Sequence, residues 1–277
     1  MVLTALISAE TGSANRAPKA CIVAIAGLLL AAPAQAQLSG AERALQLVKA
    51  MSDYMTSQQS VSGRFDIDID VVTPEIEKIQ FSSTGNLVLA RPDRIHVIRQ
   101  GGNIDLNLFF DGKTVTLVDK GGSAYAQIAS PGSIEPALKR LKAEYAVEAP
   151  VTDVLLANSF DTLMTGVRGA KYLGKEMIGG VECEHLFFRS TETDWQLWVR
   201  SGDQPIPCKY VISSKTVAAS PQYTIRYHDW AFGQPAAATA FSFAPAASAK
   251  LVGFDKISSE SGLLATTAAA PELTGEP

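Results

Sequence analysis

The chain has 277 residues, of which 24 are lysine or arginine and 28 are aspartate or glutamate, giving a net charge of −4. Without the first 36 residues, which contain Glu10, Arg16 and Lys19, the balance is 22 basic against 27 acidic side chains, or −5. This charge argues against nucleic-acid binding, and no run of like charges suggests a polybasic membrane patch. Residues 37–277 are enough for one domain with a sizeable core.

Residues 1–36 have the organisation of a secretory signal peptide. Arg16 and Lys19 precede the apolar run 20–32, and Ala34-Gln35-Ala36 is an A-x-A cleavage site before Gln37. A transmembrane anchor is the alternative. The apolar run is, however, shorter than the roughly 20 residues that a spanning helix needs. We therefore expect a cleaved signal peptide, a periplasmic mature protein and no integral membrane segment.

The mature chain is predicted to begin with a helix and to continue as strands. Ser39-Gly40-Ala41-Glu42 is a capping-box pattern that opens an amphipathic helix ending near Ser57. Residues 65–71 alternate strictly between apolar and polar side chains, as a half-buried strand does. Asp111-Gly112 is a hairpin turn signal. Further strands of this first half are predicted at 77–90, 94–99, 105–110, 113–119 and 124–129.

The middle of the chain is predicted to be helical. One helix starts at Ser133 and is broken by Pro150, a second is capped by Thr152, and a short third begins at Asp161. Their wide apolar arcs must cover an apolar surface. Strands then resume at 167–175, 181–189, 194–200, 205–213 and 222–229, with a last strand at 240–243.

Evenly spaced short strands with turn signals indicate a mainly antiparallel β fold. We expect one antiparallel sheet, strongly curved or nearly closed, with an N-terminal helix and with the middle helices covering an apolar surface. The domain should span residues 37–256. Residues 257–277 are rich in Ser, Ala and Thr, and we expect a disordered tail there.

Three motifs follow one another along the chain. They are Gly85, Leu87, Arg91 and Pro92 of G-x-L-x-x-x-R-P, then Asp111-Gly112-Lys113-Thr114, then Phe241-Ser242-Phe243-Ala244-Pro245. In this order they resemble the lipoprotein-localisation carriers of the LolA/LolB-like fold, and the resemblance spans most of residues 39–256. The segments Asp194-Trp195-Gln196-Leu197-Trp198 and Pro205-Ile206-Pro207 make the second half closer to a family of predicted periplasmic proteins of unknown function with that fold. The resemblance implies a strongly curved incomplete barrel with a helical lid over its concave face.

The resemblance implies an incomplete barrel whose lid, on residues 133–166, covers an apolar cavity for acyl chains. By motif it assigns to Arg91 the role of the family arginine that controls retention of cargo. The alternative is a plain exposed arginine at a strand end. The ligand-binding residues that this interpretation predicts are Arg91, Leu87, Leu89, Ile95, Val97, Leu155, Leu156, Leu163 and Met164.

Two polar patterns invite a metal interpretation that the sequence does not favour. Asp66-x-Asp68-x-Asp70 resembles a calcium loop, but Val71 occupies the position of the required turn glycine, so a solvated strand face is expected. Cys183-x-His185 places two side chains on one strand face without further ligands. We expect no metal site and no cofactor.

The two cysteines of the mature chain and the late aromatic residues each leave two alternatives. Cys183 and Cys208 are predicted on strands separated by a third, roughly 9–10 Å apart, so free buried thiols are expected although the periplasm permits a disulfide. Trp195 and Trp198 have opposite strand parity and cannot share a face without a bulge. Together with Tyr210, Tyr223, Tyr227 and Trp230, they form either a ligand-contacting wall or ordinary core.

No enzyme signature is readable, because G-x-S-x-G, H-E-x-x-H and a phosphate loop are all missing from the sequence. The first hypothesis is therefore a non-enzymatic periplasmic carrier for a hydrophobic ligand, either a lipid or the acyl chains of a lipoprotein. An alternative is an envelope interaction or regulatory module with a closed cavity and a protein partner. A more remote alternative is an envelope hydrolase.

Overall fold

The structure is a computed structural model that describes residues 38–101, 104–145, 147 and 149–260. The expected signal peptide, 1–36, and residues 261–277 of the expected tail lie outside the described residues. Within the described ranges, no helix has both the length and the apolar character that crossing a membrane requires.

Helix α1, Gly40–Ser57, begins at the predicted capping box. The Ser39 side chain accepts from the Glu42 amide at 3.3 Å, and the Glu42 carboxylate accepts from the Ser39 amide at 2.9 Å. The hydrogen bond that the Ser39 amide donates to the Glu42 carboxylate, with a smaller contribution from the Ser39 side chain, lowers the pKa of Glu42. The helix turns one apolar stripe to the sheet, formed by Ala44, Val48, Met51 and Met55.

Among the described residues, twelve strands form one open sheet. Its order is β12-β6-β5-β4-β3-β2-β1-β11-β10-β9-β8-β7, and every pairing is antiparallel except β12 with β6. The expected mainly antiparallel fold, a curved and unclosed half-barrel, is confirmed. The strands are β1 Ser60–Val72, β2 Lys78–Ala90, β3 Arg94–Gly101, β4 Ile104–Phe110, β5 Thr114–Val118, β6 Ala124–Ala129, β7 Gly169–Ile178, β8 Val181–Arg189, β9 Thr193–Arg200, β10 Pro207–Ser214, β11 Gln222–Phe232 and β12 Lys250–Leu251.

The segment between β6 and β7 covers the concave face of the sheet. It contains α2 Ile134–Tyr145, a 3-10 turn at Pro150–Thr152, and α3 Ser159–Met164. We call residues 133–166 the lid. Its inward side chains join α1 and the inward faces of the strands in one apolar cluster. The buried apolar residues of the lid are Ile134, Ala137, Leu141, Val147, Val151, Val154, Leu155 and Leu163.

The glycine of the G-x-L-x-x-x-R-P motif is required by a close approach between strands. Gly85 of β2 faces Phe65 of β1 and Arg99 of β3 in the ladder. A Cβ atom on Gly85 would lie 2.2 Å from the Ile98 carbonyl oxygen and 2.2 Å from the Phe65 ring. Only glycine lets the Phe65 ring lie over this part of the concave face.

The C-terminal segment differs from the expectation. Residues 240–243 were expected to form a strand, and this prediction is wrong: Ala238–Phe241 form a 3-10 helix. The outer edge of β6 pairs with β12, and within the described part of the chain residues 240–243 join no strand ladder. Helix α4, Phe254–Glu260, then crosses the expected boundary at residue 256, and Ile257 is buried in the core.

The expectation of two free thiols is also wrong. A disulfide joins Cys183 of β8 to Cys208 of β10, with their Cα atoms 7.0 Å apart. Strand β9 runs between them as predicted, but the pairing of β10 with β9 is irregular between Pro207 and Lys209. A bulge of this kind bends its strand, which brings the two cysteines closer across β9 than a regular ladder would.

Candidate ligand-binding site

The eight predicted apolar ligand residues lie together in the space between sheet and lid. Six are buried in the main core cluster, and two pack against it while partly exposed. The period of two along β2 and β3 explains why the strand residues share the concave face. The buried six are Leu87, Leu89, Ile95, Val97, Leu155 and Leu163, and the partly exposed two are Leu156 and Met164.

A small cavity of about 40 Å³ remains under the lid. Of the predicted residues only Val97 lines it, because the others are already packed against one another. Most of its walls are apolar. Its lining is Phe65, Ile67, Val97, Arg99, Leu106, Leu108, Leu138, Val147, Ala149, Val151, Thr152 and Tyr223.

A groove of about 700 Å³ lies at the lid between α2 and the turn that follows it. Leu156 is the predicted ligand residue that lines this groove. Four lid residues line both the groove and the small cavity, so they form the partition between the two spaces. They are Leu138, Val147, Ala149 and Thr152.

Arg91 joins the sheet to both α1 and the lid. Its guanidinium donates to the carbonyl oxygens of Gln58 at 3.1 Å, Met55 at 3.2 Å and Leu155 at 2.5 Å. Burial lowers the pKa of Arg91, and the negative charge of Glu135 opposes that shift only in part. A cation suits this position because the last carbonyls of α1 have no partners inside the helix.

Tyr227 of β11 makes a second link to the lid, which the sequence analysis did not find. Its buried hydroxyl donates to the Val151 carbonyl at 3.1 Å, and burial raises the pKa of Tyr227 well above its usual value. The partner is 76 positions away along the chain. From the sequence alone, only the alternation of side chains along the strand indicated that Tyr227 faces inward.

The links to the sheet explain why the helix predicted from Thr152 is only a 3-10 turn. In an α-helix the Val151 carbonyl would accept from the Leu155 amide, but it accepts from Tyr227 while that amide bonds to Thr152. The Leu155 carbonyl likewise accepts from Arg91, while the Ser159 amide, its donor in an α-helix, bonds to the Leu156 carbonyl. Side chains of the sheet therefore replace the hydrogen bonds of a helix.

Arg99 is the second residue that the sequence analysis missed. It is 9% exposed, lines the small cavity, and donates from Nε to the Ser83 hydroxyl at 2.8 Å. Its guanidinium carbon lies 5.8 Å from the centre of the Tyr223 ring. The series Ile95, Val97, Arg99 has the period of two that would have indicated an inward arginine.

The comparison with protein families identifies the chain. The profile of a family described as "Predicted periplasmic protein (DUF2092)" matches residues 44–255. The chain belongs to this family. The resemblance to a family of predicted periplasmic proteins is thereby confirmed. No curated protein matches the sequence.

Solved structures with a similar course of the chain include three at low identity. The lipoprotein LppX of Mycobacterium tuberculosis is 13% identical, with TM-score 0.35, over 68% of this chain and 94% of LppX. A putative outer membrane lipoprotein-sorting protein domain from Vibrio parahaemolyticus is 12% identical, with TM-score 0.31, over 73% and 97%. The matched chain in the complex of Pseudomonas aeruginosa MucA and MucB is 12% identical, with TM-score 0.42, over 76% of this chain and 63% of the matched chain.

The polar patterns outside the cavity have structural partners in this DUF2092 protein. Asp68 on the outer face of β1 accepts from Arg226 and Ser82, each at 2.6 Å. His185 contacts Glu176 and Gln196, each at 2.9 Å. Within the described part of the chain, no group of three or more His, Cys, Asp and Glu side chains is arranged to hold a metal ion.

The late aromatic residues divide between the two faces of the sheet, as their parity predicted. Trp195 lies in the main core, where it stacks on Phe188 at 4.0 Å between ring centres. Trp198 lies in a separate outer cluster with the disulfide and stacks on His185 at 4.1 Å. Trp195 and Trp198 therefore do not form one continuous wall.

Proposed function

We propose that this DUF2092 protein is a periplasmic, non-enzymatic binding or carrier protein for a hydrophobic ligand, a lipid or an acylated protein, and that the closed lid is its unloaded state. The observation that carries the proposal is an apolar cavity roofed by a segment that sheet side chains hold at its backbone carbonyls. Such hydrogen bonds can be exchanged with water when the lid moves, whereas a continuous helix would have to unfold.

The volume of the cavity requires that movement. Small-molecule sites in proteins usually measure about 300–1,000 Å³, and the closed cavity measures about 40 Å³. The groove across the partition is about 700 Å³. Displacement of α2 or of residues 147–152 would join the apolar cavity to this groove and give an acyl chain a path from the surface. Arg91, by holding Leu155, would set how readily the lid opens.

Arg91→Leu tests the role of the lid. The variant keeps an apolar side chain but loses the three hydrogen bonds to Met55, Gln58 and Leu155. We expect an apolar fluorescent probe to leave the variant at least tenfold faster, in stopped-flow displacement, with the fold retained by circular dichroism. Arg64→Leu, an exposed arginine on the outer face of β1, is the control. Unchanged release from a folded Arg91→Leu protein rejects the tether.

Native mass spectrometry of the protein purified from periplasm tests the ligand itself. We expect a co-purifying acyl species and competitive binding of apolar probes. The same spectrum measures the mature N-terminus, for which we propose cleavage after Ala36. The absence of both a bound species and probe binding would overturn the carrier function.

A closed interaction or regulatory module is the second candidate, and the packed interior favours it. Most predicted ligand residues already contact one another under the lid. This candidate expects a defined envelope protein in a cross-linked pull-down, together with no displacement of any apolar probe. The two functions therefore differ in the result of the same binding measurement.

A further inference from the structure

Arg99 lines the apolar cavity, and most of its donors have no protein acceptor among the described residues. A guanidinium has five N–H donors. Among the described residues, its only hydrogen bond goes from Nε to the neutral hydroxyl of Ser83, and its guanidinium carbon lies 5.8 Å from the centre of the Tyr223 ring. None of the ion pairs formed within the described ranges includes Arg99.

A buried charge is costly unless an opposite charge compensates it. Arg99 is more than nine-tenths buried, and the side chains around it are mostly those of Phe65, Val97, Leu106 and Leu108. Structural buried arginines are usually paired with a carboxylate. Here a cation faces a space whose other walls suit a hydrocarbon chain, and this is the combination that recognises an amphiphile.

We propose that Arg99 is the head-group site of the cavity, and that the ligand is a single acyl chain with an anionic head, a carboxylate or a phosphate. Both oxyanions match the guanidinium fork and accept two parallel hydrogen bonds from it. The proposal rests on the proposed binding function and narrows it to one ligand class.

The position of Arg99 on its strand gives the direction in which the chain lies. Arg99 is two residues from the end of β3, and Ile95 is near the other end, about 13 Å away at the rise of a β-strand. With the head group at Arg99, the hydrocarbon chain lies along Val97 and Ile95 toward Arg91. The apolar residues predicted from the sequence would then contact the chain, and Arg99 would contact the head.

Displacement of an apolar fluorescent probe by three amphiphiles with hydrocarbon chains of equal length tests the proposal. The competitors are hexadecanoate, hexadecyl phosphate and hexadecanol. We expect at least one anionic chain to bind about tenfold more tightly than the alcohol, the order of one hydrogen bond to a charged group. The ranking of the carboxylate and the phosphate identifies the head group.

Arg99→Gln should remove this preference while leaving the affinity for hexadecanol within about twofold. Arg94→Gln is the matched control, because Arg94 is on the same strand with the opposite parity and should keep the preference. Arg99→Lys keeps the charge and should retain a preference of several-fold, which tests the charge if Arg99→Gln does not fold.

Three outcomes separate the two proposals. Equal binding of alcohol and anions by the native protein overturns the head-group site and leaves the hydrophobic carrier in place. A preference that persists in folded Arg99→Gln also overturns it. If none of the three chains displaces the probe, the carrier function itself fails.

Discussion

The concave face of β3 has an arginine near each end, and the two are held in opposite ways. Arg91, in the turn before β3, donates three hydrogen bonds to the backbone of α1 and the lid. Arg99, near the other end, donates one hydrogen bond to Ser83 and lies beside the ring of Tyr223. The first guanidinium has protein acceptors; the second retains donors that no described carboxylate meets.

This difference separates an arginine that tethers the lid from one whose donors are left for a ligand. A side chain that donates several hydrogen bonds to protein acceptors stabilises the fold, and its replacement leaves carbonyls without that donor. A buried cation with few partners costs stability, and it is retained where a ligand supplies the missing charge. Replacement of Arg91 should therefore lower stability, whereas replacement of Arg99 should leave stability equal or higher and weaken the binding of an anionic ligand.

Gly85→Ala should have the largest effect. A methyl group there would overlap the Ile98 carbonyl and the Phe65 ring, and the carbonyl belongs to the β3 ladder and cannot move freely. Overpacking of this kind costs about 3 kcal/mol. We expect that loss in the free energy of unfolding, measured by urea denaturation.

Two further variants identify the cause of the Gly85→Ala effect. Gly169→Ala adds a methyl group to the edge strand β7, where the nearest atom would be 4.0 Å away, and should change stability by less than about 0.5 kcal/mol. Phe65→Leu in the Gly85→Ala background should recover part of the loss. If Gly85→Ala and Gly169→Ala are equally mild, the strands do not approach as closely as described.

Arg91→Leu and Arg99→Leu should shift stability in opposite directions. Loss of the Arg91 hydrogen bonds leaves carbonyls at the end of α1 and in the lid without a donor, at a cost of about 2 kcal/mol. Leucine at position 99 instead removes a buried charge from an apolar cavity, so stability should stay equal or rise by about 1 kcal/mol. Thermal and urea unfolding of both variants measure the contrast. Equal destabilisation would mean that Arg99 is a structural residue like Arg91.

Tyr227→Phe should weaken the lid by about 1 kcal/mol, the value of one hydrogen bond, without creating a cavity. Hydrogen exchange should accelerate in residues 150–158 more than in the strands. Tyr210→Phe is the matched control, because Tyr210 is similarly buried in the same core but makes no hydrogen bond to the lid among the described contacts. Uniform acceleration, or none, would contradict a local tether.

The sequence predicted well the features that depend on neighbours along the chain. The capping box placed the start of α1, and periodicity with turn signals placed β8 at residues 181–189, as observed. The G-x-L-x-x-x-R-P motif pointed to Arg91. Each of these signals is contained within about ten residues, which is why a single sequence could reveal it.

The missed features depend on partners far apart. Tyr227 meets Val151 only after the sheet and lid have assembled, and the disulfide depends on an irregularity of β10 at Cys208. Whether a carboxylate lies beside Arg99 is decided by the strands that pair on either side of β3, and no described carboxylate does. The predicted helix from Thr152 failed for the same reason, since its carbonyls are bonded by distant side chains.

The smallest predicted effect is a pH dependence of stability that arises on the opposite face of β3, away from both arginines. His96 points away from the cavity and stacks on Phe109, with ring centres 4.0 Å apart. Burial lowers the pKa of His96, and a hydrogen bond to the backbone of Ala240 offsets part of that shift. The folded protein therefore binds fewer protons at this site than the unfolded chain does.

Stability should consequently fall as the pH drops through about 6.5, the usual histidine pKa, and level off below the folded value. The slope should remain well under the ~1.4 kcal/mol per pH unit of one full proton, because the imidazole is only half buried. His96→Phe keeps the ring stack and should flatten urea-unfolding midpoints between pH 7.5 and 5.5. Arg91→Leu and Arg99→Leu leave His96 and the Phe109 ring in place, so both variants should retain the fall. A slope unchanged in His96→Phe would assign the pH dependence to another group.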